Sequence, residues 1–217
     1  MLADKVLFLD GEAMVIDKPA GLPVDPPRRG GISLENHLDS LTFGFQRWPM
    51  AVHRLDQDTS GCLLLSRNPK AHARLQQAFE ANRVEKRYLA VLEGVPAQSE
   101  GVIDLPLVKV STREEGWRMT GSPDGKSART AWHVLRIEGE RALVEFRPAT
   151  GRTHQIRVHA LEGLGVPVVG DPVYGQADKT GMLLHAAALT IPRDGKPAIV
   201  AVAPIPERFA AAGFGHE

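Results

Sequence analysis

The sequence predicts an α+β protein: a mixed, largely antiparallel sheet with helices packed on it and a central cleft. Three observations point there. Short apolar runs bounded by Gly, Pro and Asp recur along the chain, from Val6–Leu9 near the start to Ile199–Val202 near the end. Helical spacing behind a capping residue occurs at only a few places. No repeat, low-complexity run or long linker interrupts the chain, so residues 1–217 read as a single domain, and 43% hydrophobic content suffices for a sizeable core.

Taken in order, Val6-Leu7-Phe8-Leu9 and Met14-Val15-Ile16 flank Asp10-Gly11-Glu12 and read as a hairpin. Its second strand must end in Lys18-Pro19-Ala20-Gly21-Leu22-Pro23, because two prolines and Gly21 forbid continuation. Pro26-Pro27-Arg28-Arg29-Gly30-Gly31 follows as a stiff, then flexible, basic loop, suited to phosphate contact or to plain solvation. Ser33 is placed to cap a helix to about Leu41, with Leu34, Leu38 and Leu41 at helical spacing. Asn68 before Pro69 opens a helix to about Asn82 that buries Ala71, Leu75, Ala78 and Phe79. Lys86 to Leu92 reads as a strand ended by Gly94 and Pro96, with Tyr88 on the face of Ala90 and Leu92.

From Gly101 to Thr130 turns are frequent, which predicts hairpins with Lys109, Arg113, Arg118, Lys126 and Arg129 on exposed segments. Thr130–Ile137 and Ala142–Phe146 read as two central strands. A strand then stops at Pro148, Gly151 turns the chain, and Thr153 is placed to cap a helix reaching about Glu162. Pro206 to Phe214 reads as a terminal helix.

Charge excludes some functions. Lys plus Arg equals Asp plus Glu at 26 each, so no net field draws the protein to polyanions, and any such contact needs local patches. Cys62 is the only cysteine, which rules out an internal disulfide framework or a cysteine metal site and fits a reducing compartment, the cytoplasm. The apolar patch near Met1 is flanked by Asp4, Lys5 and Asp10, so it does not read as a signal or membrane segment.

The chemistry centres on His53-Arg54-Leu55-Asp56-Gln57-Asp58-Thr59-Ser60-Gly61, followed by Cys62-Leu63-Leu64-Leu65-Ser66-Arg67. Thr59, Ser60 and Gly61 form turns and Cys62–Leu65 suits a strand covered on both faces, so Asp56 sits at the edge of the core. A carboxylate there, two residues after an arginine, suits a nucleophile or an electrostatic stabiliser, against the plainer reading of a surface ion pair. A calcium loop fails because its twelfth position is Arg67, and a kinase fails on spacing and on the missing glycine loop. His154 and His159 stand five apart, with His53 and His185 on other segments, so no metal site is expected. Gly163 to Gly170 misses the dinucleotide fingerprint.

His53-Arg54-Leu55-Asp56-x-x-Thr59-Ser60-Gly61, with seven fixed residues, resembles the signature of the RluA-type family of RNA pseudouridine synthases. Lys18-Pro19-x-Gly21-Leu22, Lys86-x-Tyr88-x-Ala90 and Thr150-Gly151-Arg152-Thr153-His154-Gln155-Ile156-Arg157-x-His159 are similar to that family's further motifs. Gly170-Asp171-x-x-Tyr174-Gly175 and Leu183-Leu184-His185-Ala186 resemble scaffold segments. The resemblance runs from Lys18 to His185, and the short form without the extra N-terminal RNA-binding module is expected.

That resemblance implies the pseudouridine synthase fold and isomerisation of specific uridines in ribosomal RNA, transfer RNA or both. It implies that Asp56 acts at C1′ of a flipped-out uridine, that Arg152 pairs with Asp56, and that Tyr88 stacks on the uracil. Arg54 would fill the space the base leaves, and Ile156 would pack near the base. The first motif would be mainly structural, lining one wall of the cleft. RNA is the expected partner, with no cofactor, no metal, no obligate protein partner and a monomeric state. Two other readings compete. A non-catalytic RNA-binding protein would need none of Asp56, Tyr88 and Arg152. A glycosidase-like hydrolase would need a second carboxylate, for which Asp58 is the near candidate, and would release free uracil.

Overall fold

The first hairpin forms as its pattern demands. Strands β1 (Val6–Leu9) and β2 (Ala13–Lys18) pair antiparallel, and the Asp10 carboxylate accepts the N–H groups of Glu12 and Ala13 at 2.8 and 2.9 Å across the turn. The computed structural model describes residues 1–28, 30–112 and 116–216, so Arg29 and Arg113, both anticipated as exposed cations, lie outside the described residues. The chain divides into two compact units, Met1–Lys86 with Ala186–Pro204 and Arg87–His185 with Ile205–Glu217. No helix among the described residues is long and apolar enough to cross a membrane.

In the first unit, β2 pairs antiparallel with β4 (Ser60–Ser66), and the short β3 (Met50–Ala51) also lies on β4. Beyond β4 runs β11 (Leu184–Arg193), whose first two residues belong to the second unit and which carries β12 (Lys196–Val202). All seven residues of β4 are buried, as expected for a strand covered on both faces. Each buried leucine there contributes about 1.5–3 kcal/mol relative to exposure. Cys62 lies in this strand at 1% exposure, and burial pushes its thiol up to about 12. Arg67, at the end of β4, donates to the carbonyls of Asp10, Thr42 and Phe43 and lies 3.7 Å over the Phe45 ring.

Helix α1 (Pro69–Glu80) begins as predicted: the Asn68 side chain accepts the Ala71 N–H at 2.8 Å and Pro69 takes the first position. Ala71, Leu75 and Ala78 are buried. Phe79 is only half-buried, because its ring stacks on His53 at 4.6 Å instead of entering the core. Residues Leu34–Leu41 form a tight 3-10 helix. Its N-terminus is closed by Asn36, whose Oδ1 accepts the Ser33 N–H at 2.9 Å, while the Ser33 hydroxyl has no hydrogen-bond partner among the described residues.

The second unit is built on four antiparallel strands in the order β5 (Glu85–Leu92), β10 (Arg141–Pro148), β9 (Arg129–Glu138) and β6 (Glu100–Asp104). The first two residues of β5 belong to the first unit. A separate hairpin, β7 (Leu107–Thr112) and β8 (Gly116–Gly121), fulfils the expectation of hairpins in the turn-rich region. Ala90, Leu92, Val144, Phe146, Ile156 and Leu184 share one buried cluster, with Tyr88 packed against it.

Two helical expectations need correction here. Helix α2 (Gln155–Val158) starts after His154 rather than at Thr153, and continues only as a wider π turn, His159–Gly163. The terminal helix α3 is the short segment Glu207–Ala211, anchored by buried Phe209 and followed by buried Phe214.

Gly61 is the tightest backbone contact in the first unit. Its φ is +103°, and a Cβ would lie 2.2 Å from the Ala186 carbonyl oxygen. Gly61→Ala is expected to destabilise the protein by about 2–4 kcal/mol, read as a lower urea midpoint; a loss under about 0.5 kcal/mol would contradict this account.

Candidate active site

Asp56 stands in the turn that leads into β4. The Thr59 N–H closes that turn on the Asp56 carbonyl at 3.1 Å, Leu55 is buried, and Asp56 itself is half-buried. What holds the turn is a buried cation. Lys18, the last residue of β2, is 0% exposed, and its ammonium donates to the carbonyls of Pro19, Leu22 and Gln57 at 2.9, 2.8 and 2.9 Å. The Gly21 N–H adds a bond to the same Gln57 carbonyl at 2.9 Å. An ammonium has three donors to aim, and here they face three carbonyls, so its lost hydration is replaced. The Lys-Pro-x-Gly-Leu segment and the Asp56 turn are thereby one braced unit.

Arg54 is open to solvent. Its side chain is 77% exposed and forms an ion pair with Asp25 at 2.8 Å, a solvated contact of small worth. His53 is structural: its Nε2 accepts the Leu64 N–H at 3.0 Å, and its ring stacks on Phe79. Burial, and after it the Lys86 charge, depress the imidazole from 6.5 to about 4, so it is neutral with Nε2 as acceptor. Lys86 is itself lowered to about 8 by burial and still carries its charge at neutral pH.

In the second unit Tyr88 is half-buried and packs against the apolar cluster to which Ile156 belongs. Beside them in β5 and β10, Arg87 and Arg147 both bond the Glu145 carboxylate. Burial alone would raise that carboxyl, but the two guanidiniums hold it below the usual range. Arg152 is exposed; its Nε donates to the Ser127 carbonyl at 2.9 Å.

Most of the polar residues around Arg152 prove to be internal struts, a role the sequence did not assign to them individually. Gln155 is buried, and its Oε1 accepts both the Arg152 N–H and the Thr150 hydroxyl at 2.9 Å. Its Nε2 donates to the Arg129 carbonyl and the Thr130 hydroxyl. Arg157 makes a two-pronged bond to Asp171 at 2.6 and 2.7 Å. Burial would raise Asp171, yet Arg157 and the Val173 and Tyr174 N–H groups keep it below the usual carboxylate range. His159 is fully buried between the Thr130 hydroxyl and the Leu105 carbonyl. The available signal was a polar residue at nearly every second position of an otherwise apolar segment.

Comparison with known proteins gives the family. The family profile described as RNA pseudouridylate synthase matches residues 12–162. An uncharacterized RNA pseudouridine synthase of Zymomonas mobilis is 57% identical over 217 residues, covering 99% of both chains. The dual-specificity RNA pseudouridine synthase RluA of Escherichia coli K12 is 37% identical over 194 residues, covering 86% of this chain and 85% of its own. The solved structure of human RNA pseudouridylate synthase domain containing 4 superposes with a TM-score of 0.81 at 28% identity, over 96% of this chain and 91% of that one. The chain belongs to the RNA pseudouridine synthase family, isomerases that act on uridine in RNA, and is of its RluA type.

Two measurements test the bracing. Lys18→Met takes the ammonium from the Pro19 and Leu22 carbonyls and leaves Gln57 with the Gly21 N–H alone, and is expected to cost at least about 3 kcal/mol in urea unfolding. Because the folded pKa of His53 lies below its unfolded value, its contribution is full above pH 6.5 and is lost as pH falls toward about 4. His53→Gln, which keeps an acceptor that cannot protonate, should flatten the stability profile in that window; parallel profiles would remove His53 as the cause.

Proposed function

We propose that residues 1–217 act as one catalytic domain that converts specific uridines of ribosomal RNA, transfer RNA or both to pseudouridine, with Asp56 as the carboxylate acting at C1′. The observation that carries this reading is Asp56 on a turn braced by a buried lysine, inside a sequence that matches the family's signature. The relative of Escherichia coli described as dual-specificity supports action on more than one RNA.

The reaction breaks the bond from N1 to C1′, rotates the base, joins C5 to C1′, loses the C5 proton to water and gains a proton at N1. The target nucleotide must first leave its stack, at about a few kcal/mol. Arg54, exposed and paired with the solvated Asp25, moves into the vacated space and stacks there. Asp56 then either attacks C1′ or stabilises positive charge developing on the ribose. Arg152 pairs with Asp56 and orients its carboxylate. Tyr88 stacks on the uracil and helps the C5 proton depart, while Ile156 supports the base from the apolar side. The reaction is redox-neutral and exchanges only a proton with water, so this reading needs neither cofactor nor metal. The protein works as a cytoplasmic monomer without an obligate protein partner.

Tritium release from C5-labelled uridine in ribosomal and transfer RNA transcripts tests the activity. Wild type should release tritium from at least one of them, and Asp56→Asn should lower the rate roughly a thousandfold or more. A rate within a few-fold of wild type would exclude Asp56 from the chemistry, and free uracil as product would indicate a hydrolase. Arg54→Ala is expected to lose about ten- to a hundredfold on folded RNA and much less on a single-stranded target. Equal losses on both would end its role in flipping.

A further inference from the structure

In the second unit, the β7–β8 hairpin holds Trp117 with 48% of its surface open. The indole does not hang loose. Its ring stacks on the His154 imidazole, centroids 5.1 Å apart and planes 25° from parallel. His154 is held in turn: its backbone sits at φ +53°, and its Nδ1 lies 2.9 Å from the hydroxyl of Tyr174. That hydroxyl accepts the Met119 N–H of the hairpin at 2.9 Å, and Tyr174 is buried. The exposed ring is therefore fixed through His154 to a buried tyrosine and back to its own strand.

The surroundings are cationic. The Lys109 ammonium lies 4.7 Å from the Trp117 ring centroid, and strand alternation puts it on the same face of the hairpin, since Lys109 pairs with Met119. Arg118 and Lys126 are exposed, as is Arg152 two residues before His154. A pre-oriented indole beside an ammonium matches a nucleotide, whose base offers a π face and whose phosphate offers the anion. An apolar protein segment would have no use for that cation.

Building on the pseudouridine synthase reading, we propose that Trp117 is a stacking platform for an unpaired RNA base outside the target nucleotide, with Lys109 taking the adjoining phosphate. Pre-orientation makes the platform effective, because little side-chain freedom is lost on binding.

The test measures binding of the full chain to a short RNA hairpin with a uridine-rich loop and to the same hairpin with an abasic loop. Trp117→Ala should weaken binding to the uridine loop about tenfold and leave the abasic hairpin within about twofold. Trp117→Tyr should retain most of the affinity while abolishing loop-dependent quenching of tryptophan fluorescence, a readout that does not depend on the alanine variant folding. Lys109→Gln should weaken both hairpins and reduce the slope of log affinity against log salt by about one. Unchanged binding by Trp117→Ala, an equal loss on both hairpins, quenching that persists in Trp117→Tyr, or no binding by wild type would overturn the platform. Absence of tritium release with Trp117-dependent binding intact would instead count against the isomerase reading and in favour of the platform.

Discussion

The bonds from the Lys18 ammonium to three carbonyls are the constraint on which the turn bearing Asp56 depends. A fully buried ammonium is tolerated only where its donors are used, and here they reach its own loop at Pro19 and Leu22 and the distant Gln57. Opposite Lys18 in the pairing of β2 with β4 stands Gly61, whose missing side chain lets the Ala186 carbonyl approach. The turn bearing Asp56 is thus suspended between the end of one strand and the start of another. A compact ammonium serves here where a planar guanidinium would not, because the three carbonyls converge on one point. Carboxylates that act on a reacting centre need such fixed placement, since a small displacement costs rate steeply.

The second unit reaches the same end by a different route. Its polar residues are buried but matched: Gln155 with Thr150, Arg152, Arg129 and Thr130; Arg157 with Asp171; His159 with Thr130 and Leu105. Satisfied networks of this kind specify one arrangement of a segment, whereas a purely apolar contact tolerates several. Residues of one short motif therefore divide by exposure. Gln155, Arg157 and His159 shape the loop from within, and Arg152 stands at the surface.

Much of this was legible in the sequence, and the reasons are local. Turn residues mark both ends of β2 and β4, and Asn68-Pro69 announces α1 because capping needs only neighbours in the chain. The seven-residue signature around Asp56 pointed to the family that the comparisons establish. Features that depend on distant partners were not legible. Lys18 meets Gln57 39 positions away, and nothing near Lys18 announces that bond. Phe79 has helical core spacing but is drawn to His53, a residue of another segment. Thr153 has the composition of a cap, yet the Gln155 side chain, reaching back to the Arg152 N–H, supplies the bond and His154 takes the positive φ that starts the helix one turn-position later.

The burial of Cys62 has a practical consequence. With its thiol pushed up to about 12 and enclosed in β4, almost none of it is thiolate at neutral pH, and alkylating reagents find no nucleophile there. Any cysteine introduced at the surface would be the sole reactive handle on the chain. The native sequence is accordingly a ready background for attaching a single fluorophore, spin label or photocrosslinker, without first removing a residue from the core.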